Sequence, residues 1–327
     1  MQSIAANSQF AAQPRVLGEE TVVIRSLRVL GILGLIALAP AVQAVEPEGG
    51  IQIGMVQGMF RDVQPAMVQA LSKPLRDMIQ KSTGLTGDVD IVADGIQLAD
   101  RMKAKKYQIG VYHGFEYAWV RKQNPDLVPI VVTIPPGRKL QACVVVHKDS
   151  MATSLADLKD TPLIVPRGTK AHCYLYIERL RAKLPASTAP LKTKPAMTSE
   201  EALDAIVSEE ATAALVDIGA LNGYQNLQPG AFKNLRILCH SDFFPQTVLV
   251  ANKGSLSDET IGKIRKLLTE ANTSPSGKPL LMLWNLKGFE DVPAEYEANL
   301  ERIAKVYAPP LPGIPVTAVG GSTPKEK

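Results

Sequence analysis

Cysteine is scarce: Cys143, Cys173 and Cys239 are the only three in 327 residues. Three thiols make no disulfide framework, and an odd number leaves at least one outside any pairing within the chain. The four histidines show no HxxxH spacing and the cysteines no CxxC, so no metal site and no resident cofactor is expected. No block of like charge stands out either. The 36 basic and 32 acidic residues give a net +4 spread along the chain, which offers no footprint for nucleic acid. The densest basic run, RMKAKK from Arg101 to Lys106, ends a helical pattern and reads as a solvated helix face. Internal repeats are missing too. What is present is apolar content, 46 %, enough at this length for one large core or two medium ones.

The N-terminal stretch VIRSLRVLGILGLIALAPAVQA places Arg25 and Arg28 before an apolar run from Val29 to Ala39, then Pro40. Val42 and Ala44 supply small residues at the −3 and −1 positions of a cleavage site, so residues 1–44 read as a secretory signal peptide. The run is short for a membrane-spanning helix, and an uncleaved anchor is the alternative. Cleavage after Ala44 removes three Arg and two Glu, taking +4 to +3. The polar residues before Val22 form a long prelude and suggest an over-extended start. No cysteine lies near the cleavage site, so a lipid anchor is not expected. Export to an oxidising compartment, the periplasm, is.

Strand and helix patterns alternate after the signal. IQIGMV (51–56) reads as a buried strand, residues 57–64 as a loop, and Pro65 opens a helix that Pro74 kinks or restarts. Strand 88–93, helix 96–105, strand 107–112, a helix to about Asn124 and strand 127–134 follow. This alternation predicts parallel βαβ units and an α/β sheet. Strands are then expected at 140–147, 162–166, 212–217, 234–241 and 244–252. Helices are expected around 154–160, from Lys170 to Lys183, at 198–210 with a Thr/Ser cap, at 257–272 and at 293–306. The Pro- and Gly-rich tail, 308–327, reads as disordered.

The segment PRGTKAHCYLYIERL (166–180) concentrates the chemistry. Gly168 permits close backbone approach or positive φ, and Thr169 can cap the helix through its hydroxyl. The N–H groups of Gly168, Thr169 and Lys170 would face an anion, aided by the helix dipole and by the charges of Arg167 and Lys170. An ordinary helix start with incidental charges is the alternative. His172 and Cys173 are neighbours and project about 100° apart on a helix, so they form no dyad with each other. His113 is the histidine left to partner Cys173. A thiol near a helix start has a lowered pKa, but a buried bystander is the stronger reading.

From about residue 50 to 307 the chain resembles the phosphate/phosphite/phosphonate-type periplasmic binding proteins of ABC importers. The segments that carry the resemblance are PLRDMIQKSTGL, YQIGVYHGFEYAWV, VVVHKDSMATSLADLKDTPLIVP, LRILCHSDFFPQTVLVANKGSL and KGFEDVPAEYEANLERI. It departs from the family where a Ser-x-Ser-Gly anion loop is replaced by Arg167 to His172. The usual His before the second-domain helix is replaced around Met197 to Ser199, and GxxDAA has become EEATAA. The resemblance implies a two-lobed α/β fold, two sheets joined by two crossover strands. Lobe 1 would be 45–140 plus 246–307 and lobe 2 141–245, with the ligand between them. It also implies a monomer that serves a membrane permease and carries no catalytic residues.

Gln57, Gly58 and Phe60, with Met59 and Arg61 beside them, would then face the cleft, though Phe60 serves equally as core. Tyr112, His113 and Gly114 reach it from the third strand, with Phe115, Glu116 and Tyr117 following. Tyr and His at strand ends are also often core residues. Gly168, Thr169 and Lys170 form the anion cradle. Asp217 matches the family's ligand-side carboxylate, with a helix N-cap for IGAL as the alternative. Ser241 and Asp242 are weaker candidates. Cys143 and Cys239 fall on segments the family fold sets side by side, which leaves a disulfide open. The expected function is capture of a small oxyanion for import. A secreted enzyme using Cys173, as in thiamine-degrading relatives of such proteins, and a sensory receptor are the alternatives.

Overall fold

The computed structural model describes residues 50–60, 65–158, 161–183, 193–194 and 197–309. The signal peptide, Arg61 and all but the first two residues of the expected tail lie outside the described residues.

The first half of the chain lays down β1 (Ile51–Val56), α1 (Pro65–Thr83), β2 (Gly87–Val92), α2 (Gly95–Lys103), β3 (Ile109–Tyr112), α3 (Gly114–Val120) and β4 (Leu127–Ile134). β1 is almost wholly buried, as a strand covered on both faces must be, and it pairs in parallel with β2 and β3. α1 runs through Pro74 as one helix, and Gly84 ends it at φ +79. Asp94 starts α2 by accepting a hydrogen bond from Gln97 N at 2.8 Å.

The chain then builds β5 (Ala142–His147), β6 (Leu163–Ile164), α4 (Ala171–Lys183), β7 (Thr193–Lys194), α5 (Ser199–Val207), β8 (Ala213–Asp217), α6 (Ile218–Leu227), α7 (Pro229–Phe232) and β9 (Leu235–His240). The expected cap of α5 is a full capping box: Thr198 Oγ1 accepts from Glu201 N, and Glu201 Oε2 accepts from Thr198 N. Last come β10 (Val248–Asn252), α8 (Asp258–Thr269), α9 (Gly277–Leu283), β11 (Gly288–Glu290) and α10 (Tyr296–Val306).

Two mixed sheets result: six strands ordered β11-β4-β10-β3-β1-β2, and five ordered β7-β6-β8-β5-β9. The parallel expectation holds for β1, β2 and β3, but β10 inserts antiparallel between β3 and β4 because the chain re-enters the first sheet from the second. β7, β11, α7 and α9 arise in stretches that carried no pattern of their own. The two crossings, 135–141 and 241–247, run side by side. They share one bridge, Leu140 with Phe244, where Phe244 N donates to Leu140 O at 2.8 Å. Strands were expected to start at Leu140 and Phe244. Pro135, Pro136 and Pro245 have no N–H to extend a ladder, so β5 and β10 begin only at Ala142 and Val248.

Each sheet buries both faces. α1, α8 and α9 cover one side of the first and α2, α3 and α10 the other. Register sets Cys143 opposite His240 and Cys239 opposite Val144, so these two thiols point to opposite faces of the second sheet. None of the three cysteines is in a disulfide. A fifth buried cluster joins the halves: Phe115 of α3, Ala171 of α4, Phe244 of the returning crossing, and Ile303 and Tyr307 at the end of α10.

Candidate functional site

The turn before α4 forms around Gly168. Thr169 N donates to Pro166 O at 3.2 Å, and Gly168 at φ +73 closes the turn. A Cβ there would meet nothing within 4 Å, so the backbone angle, rather than space, favours glycine. α4 begins at Ala171. The Thr169 hydroxyl donates to Pro166 O at 2.6 Å. Of the three amides expected to face an anion, that of Thr169 is thus already engaged. Those of Gly168 and Lys170 meet no acceptor among the described residues.

Asp217 ends β8 and stands behind this turn. It is the N-cap of α6, its Oδ1 accepting from Gly219 N at 2.9 Å. The same oxygen accepts from Lys170 Nζ at 2.9 Å, and Oδ2 lies 2.9 Å from His172 Nε2. Burial alone would raise this carboxyl. The His172 contact and the Lys170 charge outweigh it and hold the pKa at about 2. The carboxylate aligns Lys170 and His172 and stays charged at any ordinary pH.

The other wall grows from the first sheet. A 3-10 turn over Gln57–Phe60 follows β1 and presents Gly58, Met59 and Phe60. A Cβ on Gly58 would come within 3.2 Å of His113 Nε2. His113 follows β3, its ring stacked on Phe115 with centroids 5.1 Å apart. Gly114 abuts the returning crossing, where a Cβ would sit 2.4 Å from Pro245 O. Behind His113 lies Glu116, whose Oε1 accepts from Gly95 N at 3.1 Å. Burial pushes its carboxyl up to about 8; Asp94 adds to the rise, and the amides of Gly95 and His113 only partly offset it.

Between the walls is a cleft of about 400 Å³. The structure brings Gly58, Phe60, His113, Gly168, Thr169 and Lys170 together on its surface. Gln57 is solvent-exposed away from it, and Tyr112 is buried in the α2 core with its hydroxyl on Met102 Sδ. Gly114 and Asp217 stand behind the walls. Ser241 and Asp242 sit at the crossings, Ser241 Oγ accepting from Ala142 N and Asp242 pairing with Arg179 and Arg302.

Among the lining residues that sequence reasoning missed are His172, Thr133, Thr247, Leu71 and the Leu283–Leu286 stretch. His172 was read as the end of the stretch that replaces the anion loop and as a neighbour of Cys173, but was not named as a ligand-facing residue. Cys173 itself is 0 % exposed, in the core between α4 and the second sheet.

Among the described residues, no helix is long and apolar enough to cross a membrane. No curated protein matches the chain in sequence. Among solved structures, a Xanthomonas citri protein bound to ATP is 16 % identical, with TM-score 0.52 over 79 % of this chain and 98 % of its own. A Prochlorococcus marinus protein in complex with methylphosphonate is 13 % identical, with TM-score 0.51 over 78 % and 97 %. A binding-protein component of a Pseudomonas aeruginosa ABC phosphonate transporter is 16 % identical, with TM-score 0.50 over 77 % and 84 %. These likenesses carry the fold, that of type II periplasmic binding proteins. Residues 58–296, well over half the chain, match the family model of the ABC transporter, phosphonate, periplasmic substrate-binding protein. Proteins of that family bind solutes for transport and are not enzymes, which sets aside the cysteine-enzyme alternative. The chain belongs to this family of ABC-transporter phosphonate-binding proteins of the periplasm.

Proposed function

We propose that this chain captures a small oxyanion of the phosphonate, phosphite or phosphate class in the cleft and passes it, as a monomer, to the permease of an ABC importer. The two lobes are 45–140 with 246–307, and 141–245, and residues 1–44 are a signal peptide removed on export. One observation carries the reading. The start of α4, with Lys170 and His172, faces His113 and Gly58 across a cleft walled by both sheets. Helix-start amides favour negative charge, and the Gly168 and Lys170 amides are the donors on offer. Tyr112, Gly114 and Asp217 act through the wall residues they hold in place. Lys170 can turn from Asp217 to the ligand, since half its side chain is solvated.

Each charge-assisted bond is worth about 1.5–3 kcal/mol, so losing one weakens affinity about tenfold or more. Gly168→Val strains the turn and crowds the amide, and is expected to cost more affinity than Lys170→Ala, whose charge is partly screened. The test is calorimetric titration of both variants and the parent with phosphate, phosphite, methylphosphonate and sulfate, with unfolding curves alongside. A Gly168→Val protein that folds and binds as tightly as the parent would place the cradle elsewhere.

A further inference from the structure

The two walls of the cleft differ in chemistry. The α4 wall offers amides, Lys170 and His172. The other is largely apolar: Met59 and Phe60 from the 3-10 turn, Leu71 of α1, Leu283 at the end of α9, and Trp284 and Leu286 just after it. Trp284 is fixed there by its Nε1, which donates to Leu71 O at 3.4 Å, and it packs with Phe60 and Leu286 on the α1 core. No Asp or Glu lines the cleft among the described residues, and Asp217 is engaged by Lys170 and His172. At about 400 Å³ the space would hold about a dozen waters, far more than one tetrahedral oxyanion displaces.

We infer that the cleft selects an oxyanion bearing an uncharged apolar substituent, an alkyl or aryl phosphonate, over inorganic phosphate or phosphite and over aminoalkyl phosphonates. This rests on the oxyanion reading above. The anionic head sits at the start of α4 and the carbon chain lies along Phe60, Trp284 and Leu286. A bare anion leaves water against that wall. Among the described residues an ammonium group would find no carboxylate lining the cleft to meet it.

The test is a homologous series, methyl-, ethyl-, propyl- and butylphosphonate, with phenylphosphonate, 2-aminoethylphosphonate and inorganic phosphate, titrated into the exported chain. Affinity is expected to rise about fourfold per added methylene. 2-Aminoethylphosphonate should bind at least about tenfold more weakly than propylphosphonate, its near match in size. Trp284→Ala, and separately Phe60→Ala, should flatten the slope, costing butylphosphonate several-fold more affinity than methylphosphonate. Affinity that is flat or falls along the series, while methylphosphonate or phosphate binds, overturns the selectivity and leaves the oxyanion site standing. If no phosphonate and no phosphate binds, the oxyanion site itself is wrong and this inference falls with it.

Discussion

Glu116 and Asp217 are buried almost equally, 4 % and 6 % exposed, one behind each wall of the cleft, yet their carboxyls shift in opposite directions. Glu116 has two backbone amides and the charge of Asp94 near it, so burial prevails and the group rises to about 8. Asp217 faces Lys170 and His172, and the His172 contact and the Lys170 charge prevail over burial, to about 2. Burial sets the starting direction and the neighbours decide the outcome. The functional consequence is a division of labour. At neutral pH the α3 wall carries an uncharged acid that does not repel an anion near His113. The α4 wall carries a fixed carboxylate that holds Lys170 and His172 in place.

The largest effect expected from breaking this contrast is at Glu116. Its folded pKa lies above the ordinary 4.5, so the fold favours the protonated form. That contribution is complete below about 4.5, declines as pH rises and is gone above about 8, a change on the order of 4–5 kcal/mol. Glu116→Gln keeps an acceptor for Gly95 N and removes the titration. Urea unfolding at pH 5, 6.5 and 8 should show a falling stability in the parent and a nearly level one in the variant. Parallel slopes in the two proteins would assign the titration to another group.

Next in size is Asp217→Asn. The amide can still accept from Gly219 N, but Lys170 loses its counter-charge and the buried His172 its carboxylate partner, at a cost on the order of 3 kcal/mol. The sign at acid pH is opposite to that of Glu116. Asp217 contributes stability above its ordinary pKa of 3.8 and loses it as pH falls toward 2, about 2 kcal/mol in all. The variant therefore lacks this acid-limb loss. Methylphosphonate affinity should rise about threefold, because Lys170 is released from its internal pair. Weaker binding with unchanged stability would make Asp217 a direct ligand contact.

The contrast between the two walls also marks how far the sequence could be read. Local signals were legible: Thr198 as a cap and Gly168 as a positive-φ turn. Each depends on a few adjacent residues. The fold and the position of the α4 start followed from strand–helix alternation and family resemblance. The Trp284–Leu286 stretch was not legible, since it reaches the cleft only because α9 packs on α1, about 200 positions away in sequence. Thr133 and Thr247 come together through the crossings, where Thr133 N donates to Thr247 O. Asp217 was readable both as a cap and as a ligand-side carboxylate, and only its distances to Lys170 and His172 show how its oxygens are used.

The smallest effect expected separates two neighbours on α4. His172 lines the cleft, while Cys173, about 100° further round the helix, lies in the core with Tyr176, Ile177 and Leu215. Cys173→Ser should therefore change methylphosphonate affinity by less than about twofold while lowering stability by about 1 kcal/mol, the cost of placing a hydroxyl in an apolar site. Under native conditions iodoacetamide should reach half-buried Cys239 before Cys143 or Cys173. Mass mapping of the labelled chain, with and without methylphosphonate, reads both points at once. Rapid labelling of Cys173 that methylphosphonate blocks would place the thiol on the cleft and reverse the assignment of the two faces of α4.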